Sequence, residues 1–194
     1  MVNPPGALHP LDDPAQAAAV RDATRRWLER AVIGLNLCPF AKAVHVKQQV
    51  RFAVTGAATP EALLEELAQE LTLLDQADPA AIETTLLIHP RVMGDFLDFN
   101  DFLDAADAAV ETLGLEGVLQ VASFHPQYQF AGTEADDIGN YTNRSPWPTL
   151  HLLREESIDR AVEAFPDPES IFGTNLRTLE KLGHAGWQAL FSAD

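Results

Sequence analysis

Apolar positions along the chain fall into short segments whose period alternates between that of a helix and that of a strand. From Pro14 onward, Val20, Trp27, Leu28, Ala31, Val32 and Leu35 recur three and four residues apart, and Asp12-Asp13 ahead of Pro14 suits a helix start. That stripe runs out near Gly34 to Asn36. Val44, Val46, Val50, Phe52 and Val54 then stand at even spacing and predict a strand over 44–54 with one exposed face. Thr59-Pro60-Glu61 opens a second helix, with Leu63, Leu64, Leu67, Leu71 and Leu74 as its buried stripe. Thr84 to Ile88 reads as a central strand ending at His89-Pro90. Phe102, Ala106, Ala109, Val110 and Leu113 mark a third helix, stopped by Gly114. Val118 to Phe124 is a strand ending at His125-Pro126, and Pro148 to Leu153 is a fourth. Ser157 to Phe165 and Pro168 to Leu182 close the chain as two helices, the second introduced by Asp167-Pro168-Glu169 and ended by Gly183.

The order is therefore α-β-α-β-α-β-loop-β-α-α. It predicts an α/β or α+β fold in which helices cover a sheet of about four strands. One domain is expected over 13–194, behind a loose leader at 1–12. Nothing local fixes the strand order. Residues 127–147 carry no period, and a segment of that length inside a small domain is a site candidate.

Composition narrows the class. Of 194 residues, 46% are hydrophobic and 22% charged, as in a globular protein able to bury a core without disulfides. A net charge of −16 argues against nucleic acid, whose binding needs cations to neutralise phosphate. No apolar run approaches the ~20 residues of a membrane span, and the first residues lack the order of a secretory signal. With Cys38 as the single cysteine, the expected location is the cytoplasm. The acids sit on helix faces and helix starts, among them Glu61, Glu65, Glu66 and Glu70, where they solvate the fold.

Candidate chemistry concentrates in three places. If Pro39 opens a helical turn, Cys38 stands at its N-cap, where the thiolate is favoured; equally, Cys38 is a small buried hydrophobe closing a corner. The turn Cys38-Pro39-Phe40-Ala41 is similar to the active-site turn of thioredoxin-like proteins, but Ala41 replaces the second cysteine and removes dithiol exchange. His89, His125 and His151 lie at or within three different strands and by ligand type suit zinc or iron, with Cys38 or a carboxylate from Asp136-Asp137 as a further candidate ligand. The long loop supplies Tyr128, Asn143 and Arg144, with planar donors suited to an anionic small molecule. The alternative for that loop is a segment whose polar side chains bond its own backbone, with Arg144 paired to Asp136 or Asp137.

Asn36 to Ala41, Phe124-His125-Pro126-Gln127-Tyr128-Gln129-Phe130, and Asn140 to Pro146 running on to His151-Leu152-Leu153-Arg154-Glu155 resemble the bacterial family called domain of unknown function 1415. The likeness extends from Trp27 to Trp187 and implies a stand-alone bacterial protein, with no activity, catalytic residue or cofactor to carry over. The residues themselves point first to a small-molecule enzyme. In that reading Cys38 and His125 are catalytic, Asn143, Arg144 and Tyr128 bind substrate, and His89, His125 and His151 hold any metal. The competing reading is a non-catalytic metabolite- or protein-binding regulatory module.

Overall fold

The computed structural model describes residues 10–164 and 170–192. Helix α1, Pro14–Trp27, is capped by the Asp13 carboxylate, which accepts from the Ala15 N–H, and it widens into a π-helical turn over Leu28–Ile33. Gly34 follows that turn at a place where a Cβ would lie 2.3 Å from the Arg30 carbonyl oxygen, so the close approach of the backbone requires glycine there. Leu11, placed by the sequence in the leader, is 5% exposed and packs with Val20, Val54, Leu86 and Ile88.

The strand expected over 44–54 divides. Helix α2 occupies Ala41–Val46, and strand β1 runs only over Val50–Val54. Val44 and Val46 carry the strand period but fall on opposite sides of the helical turn, leaving Val46 71% exposed, and the chain changes direction at Gln48. That residue adopts φ 59 as its N–H bonds the His45 carbonyl and the Gln49 N–H bonds the Val44 carbonyl. Phe40, not Cys38, is the N-cap of α2, and it caps without a side-chain bond.

Helix α3, Pro60–Gln76, begins with the Thr59 hydroxyl accepting from the Ala62 N–H. Its core stripe of Leu63, Leu67, Leu71 and Leu74 is fully buried. Glu66 and Glu70 share that stripe and are buried, which corrects their assignment to the solvent: Glu70 takes a two-pronged bond from Arg51 of β1 at 2.7 and 2.8 Å. Strand β2, Thr84–Ile88, is buried throughout. Helix α4, Phe96–Thr112, starts on the Asp95 carboxylate, which accepts from the Leu97 and Asp98 N–H groups. Strand β3 is Leu119–Phe124 and β4 is Thr149–Arg154. Between them a 3-10 turn covers Ile138–Thr142.

Helices α5, Glu155–Ala164, and α6, Ser170–Ala189, follow, with α6 kinked at Gly183 (φ 65) and continuing past the predicted stop. The helix start expected at Asp167-Pro168-Glu169, and the expected end at Phe165, lie outside the described residues.

The four strands form one mixed sheet in the order β1-β2-β4-β3, and the fold is α+β. β1 pairs parallel with β2, while β4 runs antiparallel to both β2 and β3. β1, β2 and β3 therefore point the same way, and their carboxyl ends share an edge with the start of β4. One face of the sheet buries Ala53, Leu87, Leu119, Leu150 and Leu152 against α3 and α4. The opposite face presents Phe52, Leu86, Phe124 and His151 toward α1, its π-helical extension and the end of α6.

Candidate functional site

His89 and His125 follow the last residues of β2 and β3, so parallel strand direction alone brings them to one edge of the sheet. Both are fully buried, and their rings lie on Phe99 of α4, at centroid distances of 5.6 and 5.1 Å. The Val92 carbonyl, which can only accept, lies 3.1 Å from His89 Nδ1; the proton is therefore on Nδ1 and Nε2 is an unprotonated buried nitrogen. His125 shows the opposite tautomer. Its Nδ1 accepts from the Gln127 N–H at 3.0 Å, and its Nε2–H donates to the Met93 carbonyl at 3.1 Å. Two imidazoles thus hold the turn between β2 and α4, where Met93 adopts φ 59. Burial pushes His89 down to about 4, against the carbonyl of Val92 and with His125 adding to the fall. Burial lowers His125 as well, opposed by the Met93 carbonyl and Asp95.

The long loop is folded by its own polar groups. Asn140 is fully buried: its Oδ1 accepts from the Phe130 N–H and the Thr133 hydroxyl, and its Nδ2 donates to the Glu134 carbonyl. The Asn143 carbonyl accepts from the His125 N–H, while Asn143 Nδ2 donates to the Ser123 carbonyl at the outer edge of β3. Arg144 lies over the Tyr141 ring, 4.3 Å from its centroid, and donates to the Tyr128 and Ala135 carbonyls. Its partners are loop carbonyls in place of the expected Asp136 or Asp137 carboxylates. The Tyr128 ring lies between Phe96, which it meets at a tilt, and Phe130, which it meets edge-on. Against the outer side of the loop, His184 and Trp187 of α6 meet the Tyr141 ring at 5.3 and 5.2 Å.

Cys38 and His151 belong to the other face. Cys38 is partly buried in a cluster with Trp27, Leu28, Phe124 and Trp187, and the neighbouring Leu37 carbonyl is held by Asn175 of α6. His151 projects from the middle of β4, its ring 5.9 Å from that of Phe124, which in turn meets Trp27 at 5.0 Å. Thr84 donates its hydroxyl proton to the Leu152 carbonyl, so the 2.8 Å contact to His151 runs from the imidazole Nε2–H to the Thr84 oxygen. Desolvation holds His151 down to about 4.

The predicted site residues thus separate into two groups. His89, His125, Tyr128, Asn143 and Arg144 gather around the strand ends and the loop, and Cys38 with His151 lies on the α1 face. Trp187 packs against the same Trp27–Val32 cluster as Cys38 and also meets Tyr141 of the loop. Among the described residues no three His, Cys, Asp or Glu side chains come together to hold a metal ion. No described helix is long and apolar enough to cross a membrane. Two open depressions, of about 700 and 480 Å³, are lined by α3 residues with Ile82 and Leu113, and by Pro60, Val92, Met93, Asp98, Asp101 and Phe102. None of the predicted site residues lines either. Phe99 and Trp187, which organise these groups with Asn140, were given no role by the sequence, and Asn140 counted only as one polar residue of the loop. Only Asn140 carried a signal, as an amide in a loop without hydrophobic period.

A family profile described as "Protein of unknown function (DUF1415)" matches residues 19–189. No curated protein and no solved structure matches the chain.

Proposed function

The chain belongs to the DUF1415 family, and we propose that it works as a non-catalytic binding module. One observation carries the reading: the polar side chains that looked catalytic are engaged in holding the fold together. His125 has both nitrogens on backbone groups, and Arg144 bridges two loop carbonyls. A general base or an anion-binding guanidinium needs those atoms free to meet substrate. A loop whose polar groups are engaged with one another suits recognition better than turnover.

The enzyme reading keeps one observation in its favour. Cys38 packs against the Trp27–Val32 cluster on the same face of the sheet as a neutral, half-buried His151, whose ring meets Phe124. The test is to incubate the protein with a pool of cellular small molecules and follow it by proton NMR, beside Cys38→Ser and His151→Gln. The module reading expects no time-dependent change that either substitution removes, and a stoichiometric complex when a captured partner is purified and returned. Turnover abolished by Cys38→Ser, with the melting temperature within a few degrees of the parent, overturns it.

A further inference from the structure

The two free edges of the sheet are treated differently. In β3, residues Leu119, Val121 and Ser123 point away from β4. The Leu119 N–H is taken by the Leu115 carbonyl and the Ser123 carbonyl by the Asn143 side chain, so that edge is covered at both ends. In β1, the Gln49 carbonyl and the Thr55 N–H turn toward β2, which sends the N–H and C=O groups of Val50, Phe52 and Val54 outward. No described residue bonds them. Val50 and Phe52 are only half-buried, and the preceding Val46 is 71% exposed.

The segment of chain that leads into this edge carries charge of the rare sign. Seven of the thirteen Lys and Arg residues fall between Arg21 and Arg51, against two of the 29 acids. Arg25 lies over the Phe52 ring, and Arg26, Lys42 and Lys47 are exposed. None of Arg21, Arg26, Lys42 and Lys47 forms an ion pair with another described residue.

Resting on the module reading, we infer that the β1 edge is the docking site for an extended acidic segment of a partner protein, added to the sheet as a fifth strand. Main-chain bonds to Val50 and Phe52 supply registry, and the cations supply selection for carboxylates. A strand has a side-chain period of two, so acids at alternate positions meet Arg25 on the α1 side while apolar residues face the α3 side. A second copy of this chain is a poor occupant, because pairing two β1 edges sets their cations against each other. Lysines beside an edge are also a device against aggregation, so the test must separate that role from docking.

The probe is a fluorescein-labelled peptide of about ten residues alternating Glu and Val, read by anisotropy, with a Lys and Val peptide and a single-stranded oligonucleotide as comparisons. Saturable binding in the range of about 10–100 μM is expected for the acidic peptide alone. The double variant Lys42→Glu/Lys47→Glu should weaken it by roughly tenfold at an unchanged melting temperature. Val50→Pro, at the first strand position and without loss of a ladder bond, should do the same. In the unaltered protein, the Val50 and Phe52 amides should gain hydrogen-exchange protection when the peptide is added.

No saturable binding by about 1 mM overturns the proposal, as does protection that leaves Val50 and Phe52 unchanged. Equal or tighter binding of the oligonucleotide overturns it in favour of a general polyanion surface. Self-association of the charge-reversed variant without peptide binding to the parent assigns the lysines to edge protection instead. Failure here leaves the module reading standing, since that reading falls on turnover.

Discussion

At His89 a titratable side chain has been turned into a structural part. In the unfolded chain an imidazole takes a proton near pH 6.5, whereas the buried ring resists until about 4. Between those values the unfolded form binds a proton that the folded form refuses, so stability is complete above pH 6.5 and falls as pH drops toward 4. The displacement corresponds to about 3 kcal/mol for this one group. His89→Asn keeps a donor for the Val92 carbonyl and removes the titration. Urea midpoints measured from pH 7 to 4 should therefore fall less steeply in the variant; an unchanged slope would show that His89 is not the group involved. A histidine after a strand is legible in the sequence as a candidate. Its job is not, because the acceptor for Nδ1 is a backbone carbonyl positioned by the turn that follows.

At the scale of elements, α3 shows how a helix predicted from its own stretch depends on a distant one. The Thr59 cap and the leucine stripe were readable, and so, in principle, were Glu66 and Glu70, which stand three and four residues from buried leucines. The carboxyl end offers no basic residue in its last turn and passes into extended backbone at Ala77. Its carbonyls are met from β4: an Arg154 Nη donates to Leu74 at 2.6 Å, to Ala77 at 2.9 Å and to Ile82 at 3.3 Å. Charge-assisted bonds of this kind contribute about 2–3 kcal/mol when removal leaves buried carbonyls unmet. Arg154→Ala should lower the melting temperature by roughly 5–10 °C and loosen the last turn of α3 in hydrogen exchange. A loss confined to β4 would contradict this account.

For the whole molecule, charge is distributed by face. The segment from Pro60 to Thr112, which forms α3, β2 and α4, holds thirteen acids and one cation, while the α1 side collects the cations. Helix α4 alone repeats Asp98, Asp101, Asp104 and Asp107 along its length. Such a face repels itself at low ionic strength, and salt screens that repulsion. Raising sodium chloride from about 0.05 to 0.5 M should raise the melting temperature by a few degrees. A fall would mean that attraction between the two faces outweighs repulsion within the acidic one.

By itself the sequence determined the periods, and therefore the existence and type of most elements: the helix starts at Asp13 and Thr59, and strands β2 to β4 with β-branched and apolar runs. These are local properties, set by the side chains within a few residues of each other. Tertiary structure alone decided what period cannot express. It set the order β1-β2-β4-β3, which places His89 and His125 on one side of the sheet and Cys38 and His151 on another. It also divided Val44 to Val54 at a left-handed Gln48, and left one sheet edge covered and the other without a hydrogen-bond partner among the described residues. Each of those outcomes depends on which backbone groups find partners far away along the chain, and hydrogen-bond partners chosen by packing leave no mark on local sequence.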